Sequence, residues 1–439
     1  MQTLKRPKKI DYSLFKKNNS NLKTRYGLPR DITFCKSCVI SNQRPISSIE
    51  FKNTINQNKN VIRFNQHGIC DACKFAEKKK KIDWQEREKK LTELCNKFRK
   101  NDGSYDCIVP GSGGKDSIYA SHILKNKYKM NPLTITWSPG IYTDWGYKNF
   151  KNWINTGSDN LLMTPGGKIN RLLTRLSLEN LLNPFQPFVL GQKTLAAKMA
   201  RMHNIPLVFY GESEVEYGNP ISDSANPKVK ENLYTHDDDY LNLTLGGVKV
   251  SDLINHFGVN KNEIMTYIPQ KKEIFKNFDI EFHYLGYYLK WHPQSCYYYA
   301  VENADFEPSP ERTAGTYSKY NSIDDKVDDL HYYTTFIKFG IGRATYDASQ
   351  EIRSGDITRN EGVSLVRKFD GEYPNRFLKE LFDYLTIDKK NFPLASKMFE
   401  DPEMNKNYFD NLCDNFRSPH IWYFEENKWQ LRKQVDFKN

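Results

Sequence analysis

The run Asp106-Cys107-Ile108-Val109-Pro110-Gly111-Ser112-Gly113-Gly114-Lys115-Asp116-Ser117 constrains this chain more than any other. A short apolar stretch ends in a glycine-rich turn, and a helix-like stretch, Ile118 to Leu124, follows at once. Glycine reaches positive φ freely and lets a backbone approach a ligand with no Cβ in the way. A helix start offers unpaired N–H groups and the positive end of its dipole to an anion. Strand, turn and helix together predict a phosphate cradle.

Two common cradle patterns do not fit. In G-x-x-x-x-G-K-[ST], Val109 would occupy the first glycine and Asp116 the final hydroxyl position, and G-x-G-x-x-G fails as well. Ser112-Gly113-Gly114-Lys115-Asp116-Ser117 instead resembles the signature of the PP-loop ATP pyrophosphatases. That resemblance implies that Gly111 to Ser117 hold the β,γ-pyrophosphate of ATP while a substrate attacks the α-phosphorus. The residue types suit the task. Backbone N–H groups and Lys115 can stabilise charge on departing pyrophosphate. Asp116 is a natural Mg2+ carboxylate or, more blandly, a charge that complements the helix dipole. Ser112 and Ser117 can donate to phosphate oxygens.

Eight cysteines occur, and four form two knuckles, Cys35-Lys36-Ser37-Cys38 and Cys70-Asp71-Ala72-Cys73. Two such pairs match a tetrahedral four-thiolate Zn2+ site, structural because no coordination position stays open. Disulfides are the alternative, disfavoured in a reducing compartment. Alternation near Val61-Ile62-Arg63-Phe64 predicts a short hairpin between the knuckles. Cys95, Cys107, Cys296 and Cys413 are scattered and read as packing residues. No run approaches the roughly 20 apolar residues that span a bilayer. The basic start, Met1 to Lys9, has no apolar stretch after it. The expectation is therefore a cytoplasmic protein.

Net charge is +12, from 65 Lys+Arg against 53 Asp+Glu. A nucleic-acid partner, a polyanionic small substrate, or simply lysine-rich composition would each produce it. Lys78-Lys79-Lys80-Lys81 reads as a solvated helix start. Strand-like stretches at 106–110, 133–137, 161–164 and 206–210 alternate with helical ones at 171–182 and 192–203. The fold class is α/β: a doubly wound, mainly parallel, PP-loop/HUP-like Rossmannoid sheet. A parallel sheet binds ligands at its carboxyl edge. Gly111 to Ser117 and Gly211-Glu212-Ser213-Glu214 both lie there. The organisation reads as a basic arm (1–30), a zinc ribbon (31–75), and an ATP-binding α/β domain (76–324) with a polar insertion at about 219–276. A helical region (325–439) follows. Asp237-Asp238-Asp239 reads as a solvated loop or helix cap, with a metal role as the alternative. The aromatic stretch Glu281 to Trp291 reads as strand-like. His292 reads as a satisfied histidine and Tyr297 to Tyr299 as packing. Glu212 and Glu214 are candidates for magnesium or ammonia, and Lys338 and Arg343 for clamping phosphate or a sugar carboxylate.

Further stretches carry a more specific resemblance. They are Cys35-Lys36-Ser37-Cys38-Val39-Ile40-Ser41-Asn42-Gln43-Arg44-Pro45, Gly68 to Cys73, Tyr142 to Ile154, Asn183 to Phe188, Gly191-Gln192-Lys193 and Gly211 to Gly218. Gly315 to Tyr320 and Lys338 to Thr345 complete the set. With the phosphate loop, they make the chain resemble the N-acetyl sugar amidotransferases, the group of the WbpG-like lipopolysaccharide proteins and the pseudaminic acid enzyme PseA. The resemblance implies that an acetamido oxygen attacks ATP, that ammonia displaces AMP from the O-adenylyl imidate, and that an acetamidino sugar results. Lys115, Asp116, Glu212 and Arg343 are the catalytic candidates, with ATP, Mg2+ and Zn2+ as cofactors. A UDP-sugar or nonulosonic acid would be the substrate. No nucleophilic cysteine stands at position 2, which is Gln2, and no other cysteine lies in a nucleophile elbow. Ammonia would then be free or delivered, and the resemblance implies a HisH-like glutaminase and a HisF-like channel protein as partners. Nucleic acid and membrane partners are not expected. The rivals are a tRNA thiolase of the same superfamily, which normally needs core cysteines or an iron–sulfur cluster, and a non-enzymatic zinc adaptor.

Overall fold

A computed structural model describes residues 4–20 and 22–437; Gln2 lies outside them. The chain's centre is a five-stranded sheet. Its elements run α1 (Asp71–Lys79), α2 (Trp84–Phe98), β1 (Cys107–Pro110), α3 (Lys115–Asn126), β2 (Pro132–Trp137), α4 (Asp144–Asn155), β3 (Asn160–Met163), α5 (Gly167–Leu181), α6 (Gln186–Met202) and β4 (Leu207–Tyr210). After a segment of short turns and α7 (Val250–Phe257) come β5 (Glu281–Tyr284) and α8 (Pro293–Ala304). The strand order is β3-β2-β1-β4-β5 and every pairing is parallel, with Ile108 opposite Leu133 on one side and Val208 on the other.

Alternation in β1 feeds two cores. Ile108 joins Leu133, Val208, Phe282 and residues of α5 and α6 on one face. Cys107 and Val109 join Ala120, Leu124, Leu207 and Phe209 on the other. Helices cover both faces, so the sheet is doubly wound. The order reverses between β1 and β4, and such a switch point opens a crevice at the strands' carboxyl ends.

The carboxyl-terminal region is α9 (Val327–Phe339), α10 (Arg343–Ser354), α11 (Arg359–Phe369), α12 (Leu378–Leu385) and α13 (Lys406–Phe416), closed by an antiparallel hairpin of β6 (Trp422–Glu425) and β7 (Lys428–Leu431). Leu178 and Leu182 pack against Leu330, Leu381, Phe409 and Phe416. Arg175 of α5 is fully buried at this junction. Its Nε donates to Glu179 at 2.8 Å, and its Nη atoms donate to the carbonyls of Leu385, Asp401 and Pro402.

Several expectations change. Lys78 to Lys81 end α1 rather than start a helix, where cations suit the free carbonyls. Lys79 also folds inward onto Glu216 at 2.6 Å. The hairpin between the knuckles is reduced to single bridges, Pro45 to Val61 and Phe64 to Cys70, around a helical turn at Glu50–Lys52. The strand of 281–291 stops at Tyr284, and Leu285–Tyr288 makes a helical turn instead. Asp239 caps the turn at Tyr240–Asn242, and Asp238 pairs with Lys52 at 3.0 Å. The 219–276 segment supplies Leu243, Leu245, Val250, Leu253 and Tyr267 to the core. The arm is packed: Leu4 is buried, and Arg25 donates to the Asn415 carbonyl. Among the described residues no helix is long and apolar enough to cross a membrane.

Candidate active site

The glycine turn leaves β1 at the switch point. Gly113 sits at φ +88°, and a Cβ there would lie 2.5 Å from Phe150 Cα. Gly114 caps α3 without a side-chain bond, so the first N–H groups of the helix stay available. A Cβ on Gly114 would meet only Ser112 Oγ, at 3.9 Å, so the loop's mouth is open there. Ser112 to Asp116 line a cavity of 590 Å³. Ser117 turns away, and its hydroxyl donates to the Gly114 carbonyl at 2.9 Å, holding the turn closed. Lys115 is buried, with Nζ 2.5 Å from Asp116 Oδ2. Burial opposes its charge, but Asp116 outweighs that and raises its pKa.

A second cavity, of 440 Å³, opens beside the first over the ends of β1, β2, β4 and β5. Gly111, Trp137, Tyr210, Tyr234 and Tyr284 line it, a slot for a flat ring. Arg44, Gln192, Glu212 and Tyr217 line both cavities and so mark their junction. Glu212 follows β4 and accepts the Tyr217 hydroxyl. Burial raises its pKa, and the charge of Asp116 adds to the shift. A cation beside Glu212 and Asp116 would relieve the penalty on Glu212. Glu214 faces only the second cavity and accepts from Asn219 at 2.7 Å.

The far wall of the first cavity belongs to the carboxyl-terminal region. Asp328, His331, Tyr332, Thr335 and Lys338 follow the helical repeat along one face of α9 and all line the cavity. Asp328 is 3% exposed, and its carboxylate has no hydrogen-bond or ion-pair partner among the described residues. Burial, then Asp324 and Asp325, push its pKa up. His331 stacks on Phe185 with centroids 5.2 Å apart, and its buried Nδ1 has no partner. Burial and Arg343 push its pKa down to about 4. Arg343 pairs with Asp347 at 3.0 Å and donates to the Tyr332 hydroxyl at 2.5 Å. Lys338 Nζ donates to the Leu181 carbonyl at 2.6 Å beneath Tyr26, and Lys59 Nζ donates to Asn53 at 2.7 Å; neither has a carboxylate partner.

The cavity thus gathers Lys115, Asp116, Glu212, Arg343 and Lys338. His292 lies elsewhere, capping α8 and facing Asp356 at 3.3 Å. Tyr297 stacks on Tyr320 at 4.2 Å, and Tyr298 is exposed. Sequence reading passed over Arg44, Lys59, Asp324, Asp328, His331 and Tyr332.

Residues 314–436 match the family model described as LPS biosynthesis protein WbpG-like, C-terminal domain. The far wall, α9, lies within this matched region. A 77-residue stretch, 18% of the chain, is 35% identical to Uncharacterized protein MJ1599 of Methanocaldococcus jannaschii and spans 27% of that protein's length. A solved structure, the U34-tRNA thiolase NcsA from Methanococcus maripaludis with its [4Fe-4S] cluster, aligns over 88% of this chain and 98% of its own. The identity is 12% and the TM-score 0.26, too loose a superposition to argue from.

The carboxyl-terminal region also reaches the cysteine cluster. Cys35, Cys38, Cys70 and Cys73 are buried, with all four Sγ atoms within 4.8 Å of one another. Cys35 to Cys73 and Cys38 to Cys70 are each 3.8 Å. The edge of a tetrahedron with 2.3 Å metal–sulfur bonds is about 3.8 Å, so the donor set fits Zn2+. Arg353 of α10 places Nη1 4.0 Å from Cys38 Sγ and donates from Nη2 to the Glu216 carbonyl at 3.0 Å. Its charge offsets a thiolate-rich centre and ties it to the loop after β4.

Proposed function

We propose that this protein is an ATP-dependent amidotransferase that converts an acetamido group of an anionic sugar into an acetamidino group, in surface polysaccharide or flagellin glycan biosynthesis. One observation carries the reading: a glycine cradle of the pyrophosphatase type and the WbpG-like α9 form opposite walls of one cavity.

In this reading the adenine enters the aromatic slot and the triphosphate runs across the junction to the cradle. Amides of Gly113 to Lys115 and the Lys115 ammonium receive the β,γ-pyrophosphate. Asp116 and Glu212 would hold Mg2+, which supplies charge neutralisation to the departing pyrophosphate. The acetamido oxygen attacks the α-phosphorus, the α–β bridging bond breaks, and pyrophosphate leaves. Ammonia then attacks the imidate carbon, AMP departs with the former acetamido oxygen, and an amidine remains. An amide resists ammonia because its oxygen leaves poorly, and the phosphate ester removes that obstacle. Lys338, buried, and Lys59, half-buried, form no ion pair among the described residues and suit a diphosphate or carboxylate on the sugar. Ammonia is supplied by a partner glutaminase of the HisH type, with a HisF-like channel protein.

The test is incubation with ATP, Mg2+, ammonium and a panel of UDP-acetamido sugars and nonulosonic acids. The expected result is AMP, pyrophosphate and a product in which one oxygen is replaced by NH. ADP and orthophosphate, or untouched ATP across the panel, would sink the reading.

A further inference from the structure

Arg44 is a buried guanidinium with no counter-ion in contact among the described residues; the charge of Glu214 reaches it only from a distance. Arg44 is 8% exposed and forms no ion pair among the described residues. Of its five side-chain donors, one is used, Nη1 to the Pro45 carbonyl at 3.2 Å. It lies over the Tyr346 ring at 5.5 Å. Burial opposes its charge. Leaving a buried charge uncompensated is costly, so such a residue is expected to face an anion that comes and goes.

Its position says which anion. Arg44 lines both cavities and stands at their junction. A polyphosphate that reaches from the aromatic slot to the glycine cradle has to pass this point. The cradle takes the distal end and the slot takes the ring, so the group at the junction is the phosphoryl nearest the nucleoside. The backbone that carries Arg44 is also held in place. Arg44 N–H donates to the Ser41 carbonyl at 3.1 Å, its carbonyl accepts from Ile62 N–H at 2.9 Å, and Pro45 bridges Val61. This stretch lies between the two cysteine knuckles. Gly218, at φ +100°, clears the space: a Cβ there would lie 2.4 Å from Ile62 and 3.5 Å from Arg44 Nη1.

We propose that Arg44 binds the α-phosphoryl oxygens of the nucleotide, so that the four-cysteine module supplies a catalytic cation to the cleft rather than bracing the fold from a distance. This rests on the adenylylating reading above. As the acceptor oxygen bonds to the α-phosphorus and the pyrophosphate bond breaks, negative charge grows on the equatorial oxygens. A planar fork of N–H donors stabilises that charge better than an ammonium does.

The test uses the full chain with its metal bound and compares R44M and R44K with wild type. For R44M, acceptor-dependent AMP formation should fall about 10²- to 10³-fold, metal content and thermal midpoint should match wild type, and guanidinium ion should restore part of the lost turnover. R44K should fall between the two, because it keeps the charge but not the fork. Wild-type AMP formation by R44M overturns the inference and leaves the amidotransferase reading standing. If R44M fails to fold, R44K decides: turnover equal to wild type overturns the inference. A wild-type protein that binds neither pyrophosphate nor ATP defeats both.

Discussion

The two walls of the main cavity are built by different means. The Gly111–Ser117 wall is made mostly of backbone. Its shape depends on residues without side chains, and its charge comes from helix-start amides and Lys115. The α9 wall is made of side chains. Its charges are Asp328 and Lys338, joined by Arg343 at the start of α10, partnered or not by what the rest of the fold brings near them. A backbone cradle suits a group common to many enzymes, such as a phosphate chain. A wall of individual side chains suits a particular acceptor. The contrast teaches where changes in this molecule should alter chemistry and where they should alter specificity.

The sharpest way to break the contrast is Gly113→Ala. At φ +88° with Phe150 backbone 2.5 Å away, the new Cβ forces the loop to move. ATP-to-AMP turnover should disappear and thermal stability should drop, measured by AMP release and melting. A normal rate would show that the cradle is not used. Next is Lys115→Met, which leaves the backbone intact. Acceptor-dependent AMP formation should fall by about 10²- to 10³-fold, with the acceptor KM little changed. Asp328→Asn tests the other wall. ATP affinity should stay at the wild-type level while kcat/KM for the acceptor falls about tenfold, or roughly 1.4 kcal/mol. Equal losses for both ligands would erase the distinction between the walls. The smallest effect concerns pH. Burial and Asp116 raise the Glu212 carboxyl above its ordinary range. Below that raised pKa, Mg2+ must displace a proton; above it, the site is already ionised. The apparent Mg2+ affinity should therefore climb with pH past the usual carboxylate range, and Glu212→Gln should flatten that limb in a magnesium titration.

The two walls also differ in how much of them was legible. The cradle is contiguous, and its glycines, Lys115 and Asp116 could be read from a few adjacent letters. So could the succession of strands and helices along the chain, because apolar runs such as Leu133 to Trp137 alternate with helical ones. The cysteine cluster was legible from knuckle spacing. The α9 wall lies some two hundred residues downstream of the loop, and nothing local in Asp328-Asp329-Leu330-His331-Tyr332 marks which polar residues lose their partners on burial. Asp329 meets Arg376 at 3.0 Å, whereas Asp328, its neighbour, meets nothing. That difference is purely tertiary. Arg44 was visible only as one letter of the stretch ending in Pro45, since its role depends on two cavities meeting at one point. The lysine run at 78–81 misled because charge density marks a solvated helix end without saying which end.

Arg175 sets a limit on how this molecule can come apart. Its guanidinium is grounded on Glu179 within α5 and on three carbonyls that belong to the segment after Tyr384. Peeling that segment away would break the hydrogen bonds to those three carbonyls and leave only the pair with Glu179, which stays within α5. The sheet and the carboxyl-terminal helices are therefore fastened to each other at α5. A chain cut short ahead of α12 loses these bonds together with the packing of Leu381 and Phe409 on Leu178 and Leu182, and should come out of the cell as an aggregate.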